Sequence, residues 1–319
     1  MPRFLLNTGL RMQVLAMLLL LPLVAAAQQD PAFAHYWELE PQYNPAAAGR
    51  SDQLSINGAY QTHAVGYKDA GGTMYAGADM AFQLGKTRHG VGVVFQNDQI
   101  GLFSHKRFSA QYSYHFRFLG GRLSIGGEAD MLQESIEGSK ADFPETGDDP
   151  AFPSTDVNGS RFGASAGIWY AHGDWYAGIG AMHLLAPTIL IGETNEYALR
   201  RQYNFTAGYN IRLRNPLLSI VPTTFVRYDG VEWRADVTAR LVYTSEKRRL
   251  YLGAGYSTER SATFYVGGSF HGIDIGYAYE AFTSGLGLGA GQHELVVSYR
   301  MPVNMQKRGR NLHKSVRYL

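Results

Sequence analysis

The sequence predicts an all-β protein, a transmembrane antiparallel β-barrel of about fourteen strands preceded by a short N-terminal segment that is not strand. Three observations predict it. Apolar and polar residues alternate over full strand lengths in segment after segment, the chain opens on a cleavable apolar leader, and the lengths of successive connections separate by parity onto two sides.

Composition sets the outer bounds. The 319 residues include 37 glycines and 21 tyrosines, with 18% charged and 13% aromatic residues, a balance that favours strands and tight turns over an α/β enzyme. There is no cysteine, which excludes disulfides, thiolate metal sites and a lipid-anchored lipoprotein. A net charge of +2 gives no argument for nucleic acid.

The leader comes first in the chain. Arg3 and Arg11 supply its positive region, "VLAMLLLLPLV" its apolar stretch, and "AAA" at Ala25 to Ala27 its small-residue cleavage site, so residues 1–27 read as a secretory signal peptide. No later stretch approaches the ~18–20 apolar residues of a spanning helix. The next segment, "FAHYWELEPQYNPAAAGR", carries four aromatic residues and two prolines with neither a strand nor a helix period. Glu-Pro and Asn-Pro hold its backbone in extended or turn geometry, so it fits a plug across a lumen, a cap on the barrel, or a contact for a partner.

Alternation begins near Gln53. In "RFSAQYSYHFRF", Phe108, Ala110, Tyr112, Tyr114 and Phe116 share one face, while Ser109, Gln111, Ser113, His115 and Arg117 share the other. "QYNFTAGYNIRL" sets Tyr203, Phe205, Ala207 and Tyr209 against Asn204, Thr206, Gly208 and Asn210, and "VEWRADVTARLVY" repeats the pattern from Val231 to Tyr243. A soluble sandwich would share this pattern. Segments of about nine to twelve residues match a tilted strand crossing a bilayer, whereas soluble strands average about five to six. Aromatics near strand ends (Tyr60, Phe82, Phe118, Tyr170, Tyr228, Tyr243 and Phe270) suit interfacial girdles. On these grounds Phe205→Arg is expected to impair assembly and Thr206→Arg to be tolerated.

Strand starts fall near Gln53, Thr73, Gly90, Lys106, Leu123, Ser160, Trp175, Arg201, Leu217, Trp233, Leu250, Ala262, Ile273 and His293. With both barrel ends in the periplasm, the even connections are "GKTRH", "GG", "HGD", "RNP", "SEKRR" and "HG", all short. The long ones, "IEGSKADFPETGDDPAFPSTDVNG", "LAPTILIGETNEYAL" and "AFTSGLGLGAGQ", are all odd and therefore outside, as bacterial barrels require. The resulting organisation is a signal peptide over 1–27, a plug or docking segment over 28–50, a barrel over 51–301 and a basic periplasmic tail over 302–319. That tail, with Lys307, Arg308, Arg310, Lys314 and Arg317, fits a solvated end, an acidic partner or anionic headgroups.

Residues able to carry chemistry are few in pattern. His183, His271 and His293 are candidate bases for a barrel hydrolase, but no spacing sets a serine beside them, and lumenal or interfacial histidines are the plainer reading. "GLGLGAG" lacks the Lys-Ser/Thr and the helix context of a phosphate loop. The six carboxylates from Glu137 to Asp156 offer oxygens to Ca²⁺ but fit no EF-hand spacing, so a solvated loop is expected. Glu232, Arg234, Asp236 and Arg240 read as a charge ladder bracing a polar interior. No catalytic residue, cofactor or metal is expected.

The opening residues also carry a resemblance. "QQDPAFAHYWELEPQYNPAAAGR" resembles the N-terminal signature of the PorP/SprF family of type IX secretion membrane proteins of Bacteroidota, with Gln29, Asp30, Pro31, Phe33, Tyr36, Asn44, Pro45, Ala46 and Gly49 at the matching positions; Tyr43 directly precedes Asn44, where the family pattern sets one residue between tyrosine and asparagine. The likeness continues through "NDQIGLF" around Asp98 and Gly101, "MHLLAP" with His183 and Pro187, and "GQHELVVSYR" with His293 and Glu294. The resemblance implies a non-enzymatic outer-membrane barrel acting in type IX secretion and gliding motility. Its implied partners are cargo C-terminal domains and periplasmic machinery that includes a peptidoglycan-associated lipoprotein. A general porin or small-molecule transporter is the alternative, favoured if the lumen is open.

Overall fold

The computed structural model of the protein describes residues 30–63, 70–140, 153–193, 195–246, 248–283 and 291–302. The leader, the middle of the acidic segment, most of the "GLGLGAG" run and the basic tail beyond Pro302 lie outside the described residues. Among the described residues no helix is long and apolar enough to cross a membrane, so any crossing falls to strands.

Among the described residues seventeen strands follow in chain order. The first seven are β1 (Gln53–Thr62), β2 (Gly72–Leu84), β3 (Thr87–Ile100), β4 (Phe103–Phe118), β5 (Gly121–Glu137), β6 (Asp156–His172) and β7 (Trp175–Met182). Next come β8 (Thr188–Ile191), β9 (Asn195–Ala198), β10 (Gln202–Tyr209) and β11 (Ile211–Arg212). The rest are β12 (Leu218–Tyr228), β13 (Trp233–Ser245), β14 (Arg248–Ser257), β15 (Ser261–Phe270), β16 (Ile273–Phe282) and β17 (Gln292–Pro302).

All neighbours pair antiparallel. β1 pairs with β17 as well as β2, and β10 bridges β7 and β12, which closes a barrel of 14 strands. β11 continues β10 after a break, and β8 and β9 form a separate hairpin. The break has a local cause. Gly208 pairs with Thr223 and Ile211 with Ile220 in one continuous register, so of the two positions between them Asn210 lies against Val221 and Tyr209 against Pro222, which has no N–H for a ladder.

The two faces invert the arrangement of a soluble protein. Ile56, Val93, Phe108, Ile125, Ile168, Phe205, Val237, Leu252, Phe264, Ile275 and Val297 point outward and exposed, whereas Asn57, Gln96, Arg107, Gln111, Glu128, Asn204, Arg227 and Glu294 point inward and buried. An apolar belt around a polar interior suits a barrel in lipid, where closure leaves no edge unpaired. Aromatic rings gather near its margins. Phe82 stacks on His89, which also meets Tyr112 and Tyr114, near the end with short turns, and His293 lies between Tyr277 and Tyr279 near the other.

Two features depart from the simple alternation. β3 to β6 run 14, 16, 17 and 17 residues, longer than a crossing requires. Within "LAPTILIGETNEYAL", read from sequence as loop, the chain forms the β8–β9 hairpin. The extended ends of β5 and β6 carry the hairpin: its Ile189 and Ile191 pack on Leu132 and Ile136 of β5, with Val157 of β6, Tyr197 and Leu199 around them. Four-residue strands are too short for a period to identify. The hairpin closes against the inner side of this wall, and its Leu190 carbonyl lies where a side chain on Gly159 would stand.

Candidate functional site in the barrel lumen

Asp30 to Arg50 occupies the lumen. The segment joins no ladder; it winds through two short 3-10 helices, Glu40–Gln42 and Pro45–Ala47. Each has proline in its first turn, where a missing N–H costs nothing. Asn44 caps the second by accepting from the Ala46 N–H at 3.0 Å, while its amide donates to the Ile168 carbonyl of β6 at 3.0 Å. Gly49 ends the segment at a φ of 65°, a left-handed turn that suits glycine.

Phe33, Tyr36, Trp37, Leu39 and Tyr43 are buried together with Tyr75, Phe225, Val242, Tyr251, Tyr265 and Val296 of the wall. Tyr36 stacks on Phe225 with ring centroids 5.0 Å apart, and Tyr43 meets the same ring at 4.6 Å. Tyr43 folds the segment on itself by accepting the Phe33 N–H at 2.8 Å. Burying each such ring contributes about 1.5–3 kcal/mol, so the packing holds the segment independently of its polar contacts.

The wall admits the segment through close backbone approach. A Cβ on Gly126 would come within 2.4 Å of the Ala46 nitrogen, and one on Gly180 within 2.1 Å of the Tyr43 carbonyl oxygen. Ala46, Ala47 and Ala48 are small for the same reason. All three are buried.

Polar contacts fix the ends and the middle. Glu294 of β17 accepts from the Ala34 and His35 N–H groups and from His35 Nδ1, the last two at 2.9 and 2.6 Å. Tyr36 shares a hydrogen bond with Thr223 at 2.9 Å. Near the loop end, Asp30 meets His183 Nε2 at 2.8 Å, and its carbonyl accepts from Arg227 at 2.6 Å. Burial raises the Asp30 carboxyl's pKa, but His183, Arg107 and Arg227 outweigh it and hold the group below the ordinary carboxylate range. For His183 burial acts downward, and Asp30 outweighs it to raise the imidazole's pKa. At the other end, Glu38 pairs with Arg300, which also reaches Asp274 at 2.8 Å, and Glu40 pairs with Arg50. Burial pushes the Glu40 carboxyl up to about 7 against the pull of Arg50. Arg88 binds the carbonyls of Gly49, Arg50 and Ser51 at 3.1, 2.9 and 2.7 Å.

Most residues singled out from sequence therefore meet here. Asp30, Phe33, Tyr36, Tyr43, Asn44, Pro45, Gly49, His183 and Glu294 all belong to the segment or touch it, and Pro31 lines a pocket of 310 Å³ beside Asp30 at the loop end. His293 and Pro187 do not. His293 points outward and bonds Tyr277 at 2.6 Å, and the Pro187 carbonyl accepts from Leu199 where the hairpin begins. The charge ladder is only partly formed: Arg234 holds Asp236, Glu259 and Glu280 at 3.0, 2.7 and 2.9 Å, but Glu232 sits in a turn and Arg240 lies over Trp37. Sequence reasoning passed over Arg88, Arg107, Phe225 and Arg300. Arg107 donates to the Gln42 carbonyl and Arg300 pairs with Glu38, contacts that no pattern along the chain shows.

Catalytic geometry can be tested directly. Among the described residues no histidine bridges a hydroxyl and a carboxylate through its two ring nitrogens, as a triad requires. His63 touches Thr73 and Asp98 through the same Nε2, and the His183 ring goes to Asp30 while only its backbone N–H faces Ser165. His271 occupies the tight turn between β15 and β16, against Phe270. No group of three or more potential metal ligands occurs among the described residues.

The sequence from residue 25 to 299, which spans the segment and the barrel, matches the profile of the family described as type IX secretion system membrane protein PorP/SprF. The chain belongs to the PorP/SprF family. No curated relative matches it. Solved structures similar to this PorP/SprF protein include a FadL homologue of Pseudomonas aeruginosa, at 11% identity and a TM-score of 0.49, over 82% of this chain and 93% of that one. The toluene transporter TodX of P. putida is similar at 11% identity and a TM-score of 0.46, with the same coverage. The outer-membrane protein Omp33 of Acinetobacter baumannii follows at 9% and 0.44, over 78% and 98%. The family's description is that of a type IX secretion membrane protein and names no enzyme class.

Proposed function

We propose that this PorP/SprF protein is an outer-membrane component of the type IX secretion and gliding machinery of Bacteroidota, supporting the secretion or surface anchoring of cargo recognised through its C-terminal domain. The family match across residues 25–299 carries the proposal. A leader cleaved after Ala27 delivers the chain to the envelope. The loop end then faces outward and the short-turn end faces the periplasm, by the length rule for bacterial barrels. Residues 28–50 act as a plug and the tail over 302–319 as a basic periplasmic extension. Partners are the cargo C-terminal domain, outer-membrane lipid and periplasmic machinery that includes a peptidoglycan-associated lipoprotein.

The burial of Phe33 to Ala48 supports a barrel that does not conduct freely, which sets this reading apart from a general porin. The test is a strain lacking the chain that exports a reporter fused to a type IX C-terminal domain. Retention of the reporter in the periplasm, relieved by restoring the chain, is expected; full surface delivery without the chain overturns the proposal. Liposome swelling separates the porin reading, since rapid unselective sugar entry through the intact protein would favour it.

A further inference from the structure

At the short-turn end the plug leaves a vestibule of 490 Å³, within the ~300–1,000 Å³ range of ligand sites. Its carboxylates are already committed. Glu38 pairs with Arg300, Glu40 with Arg50, and Asp79 accepts the Gly49 N–H at 2.9 Å. Two of its cations are not. Arg240 of β13 is 4% exposed, with its guanidinium 3.9 Å from the centre of the Trp37 ring, and among the described residues it makes no hydrogen bond or ion pair. Arg249 of β14 also lines the vestibule and likewise has neither.

A guanidinium offers five N–H donors in a planar fork, and burying it unpaired is costly. Cation–π contact with Trp37 satisfies one face of the ion and none of those donors. The wall keeps room for this side chain, because Arg240 pairs in register with Gly253, where a Cβ would fall 2.8 Å from the arginine Cγ. Arg249 pairs with Thr244, four residues along β13 toward the short-turn end. At about 3.4 Å per residue the two arginines are rooted about 14 Å apart along the strand, one at the floor and one at the mouth. A ligand extended along the strand meets both without either side chain turning toward the other.

We propose that the vestibule binds a carboxylate-bearing peptide segment of a partner protein, Arg240 taking a carboxylate at the floor while Arg249 attracts the segment at the mouth. Arginine recognises carboxylates through two parallel hydrogen bonds, and clusters of arginine are a recurrent means of holding acidic motifs. The inference rests on the vestibule and not on the secretion reading, so either can fail alone.

The test is calorimetric titration of the full-length protein in detergent with inorganic phosphate and with three peptides: one with acidic side chains and blocked ends, one neutral with a free C-terminal carboxylate, and one neutral and amidated. At least one anionic peptide is expected to bind, with affinity that weakens as salt rises, while the amidated peptide does not. Which anionic peptide binds tells side-chain from terminal carboxylate. Arg240→Gln, in a barrel that retains heat-modifiable gel mobility, is expected to weaken binding by about tenfold or more. If that variant does not fold, Arg249→Gln takes its place with a several-fold loss expected. Failure of both anionic peptides to bind, binding of inorganic phosphate alone, equal binding of the amidated control, or an unchanged affinity in the folded variant overturns the proposal.

Discussion

Glu294 grips His35 twice, accepting from its backbone N–H at 2.9 Å and from its ring Nδ1 at 2.6 Å. The same carboxylate takes the Ala34 N–H, so one side chain of the last strand anchors the turn where the plug reverses. Glu294→Ala leaves these donors buried without an acceptor, at a cost of about 1–3 kcal/mol for each unsatisfied group. The expected outcome is a folded barrel with a loosened plug, seen as a rise in sugar entry in liposome swelling, with Glu294→Gln intermediate. Wild-type permeability in folded Glu294→Ala would show that aromatic packing alone holds the segment.

Gly126 and Gly127 give a paired test of plug seating. A Cβ on Gly126 meets the Ala46 nitrogen at 2.4 Å, whereas one on the neighbouring Gly127 meets only the Ser165 carbonyl, at 4.0 Å. Gly126→Ala is expected to destabilise the protein by about 1–3 kcal/mol through overpacking. Gly127→Ala should change stability by less than about 0.5 kcal/mol, as outward-facing substitutions usually do. Urea titration followed by gel mobility reads both, and equal midpoints would refute a close-seated plug.

The Asp30–His183 pair confers a pH window. A carboxyl held low adds stability above its unfolded pKa, about 4, and loses it as pH falls through its folded value. An imidazole held high adds stability below about 6.5 and loses it as pH rises through its folded value. The stability difference between wild type and Asp30→Asn should be largest between about pH 4 and 6.5 and fall on either side. Subtraction is needed because Glu40, raised to about 7, lowers stability over an overlapping range as it ionises. A difference that stays flat from acid to alkaline pH would count against the pairing.

Phe205 and Thr206 test the faces. Phe205 is exposed on the outer face, and Phe205→Arg is expected to cost about 2–4 kcal/mol near the bilayer midplane and to lower the folded yield in outer membranes. An open lumen would accept arginine at Thr206, but Thr206 is 3% exposed in an interior filled by the plug, so Thr206→Ser is the informative control. Normal assembly of Phe205→Arg would contradict a lipid-facing surface.

Much of the architecture was legible along the chain. Gln53, Trp175, Trp233 and Ile273 begin strands as the alternation indicated, and the remaining barrel strands begin within four residues of the expected positions. The long connections share one end, where the parity of the count placed them. The β8–β9 hairpin was not legible, because four-residue strands carry too little pattern and its stability comes from Leu132 and Ile136, distant in sequence. Nor was the contrast between Glu294 and its neighbour His293, one facing the plug and the other the aromatic margin.

The sequence by itself determined the number of barrel strands, the lipid-facing and lumenal sides and the side of each connection, since a two-residue period and the spacing of turns are properties of short stretches. Only the tertiary structure decided what the aromatic, proline-rich start of the chain does and which lumenal groups it meets. His35 and Glu294 lie 259 positions apart, and no periodicity reaches that far. They come together because closing the barrel encloses polar side chains that must find partners away from water, and the segment running through the middle supplies them.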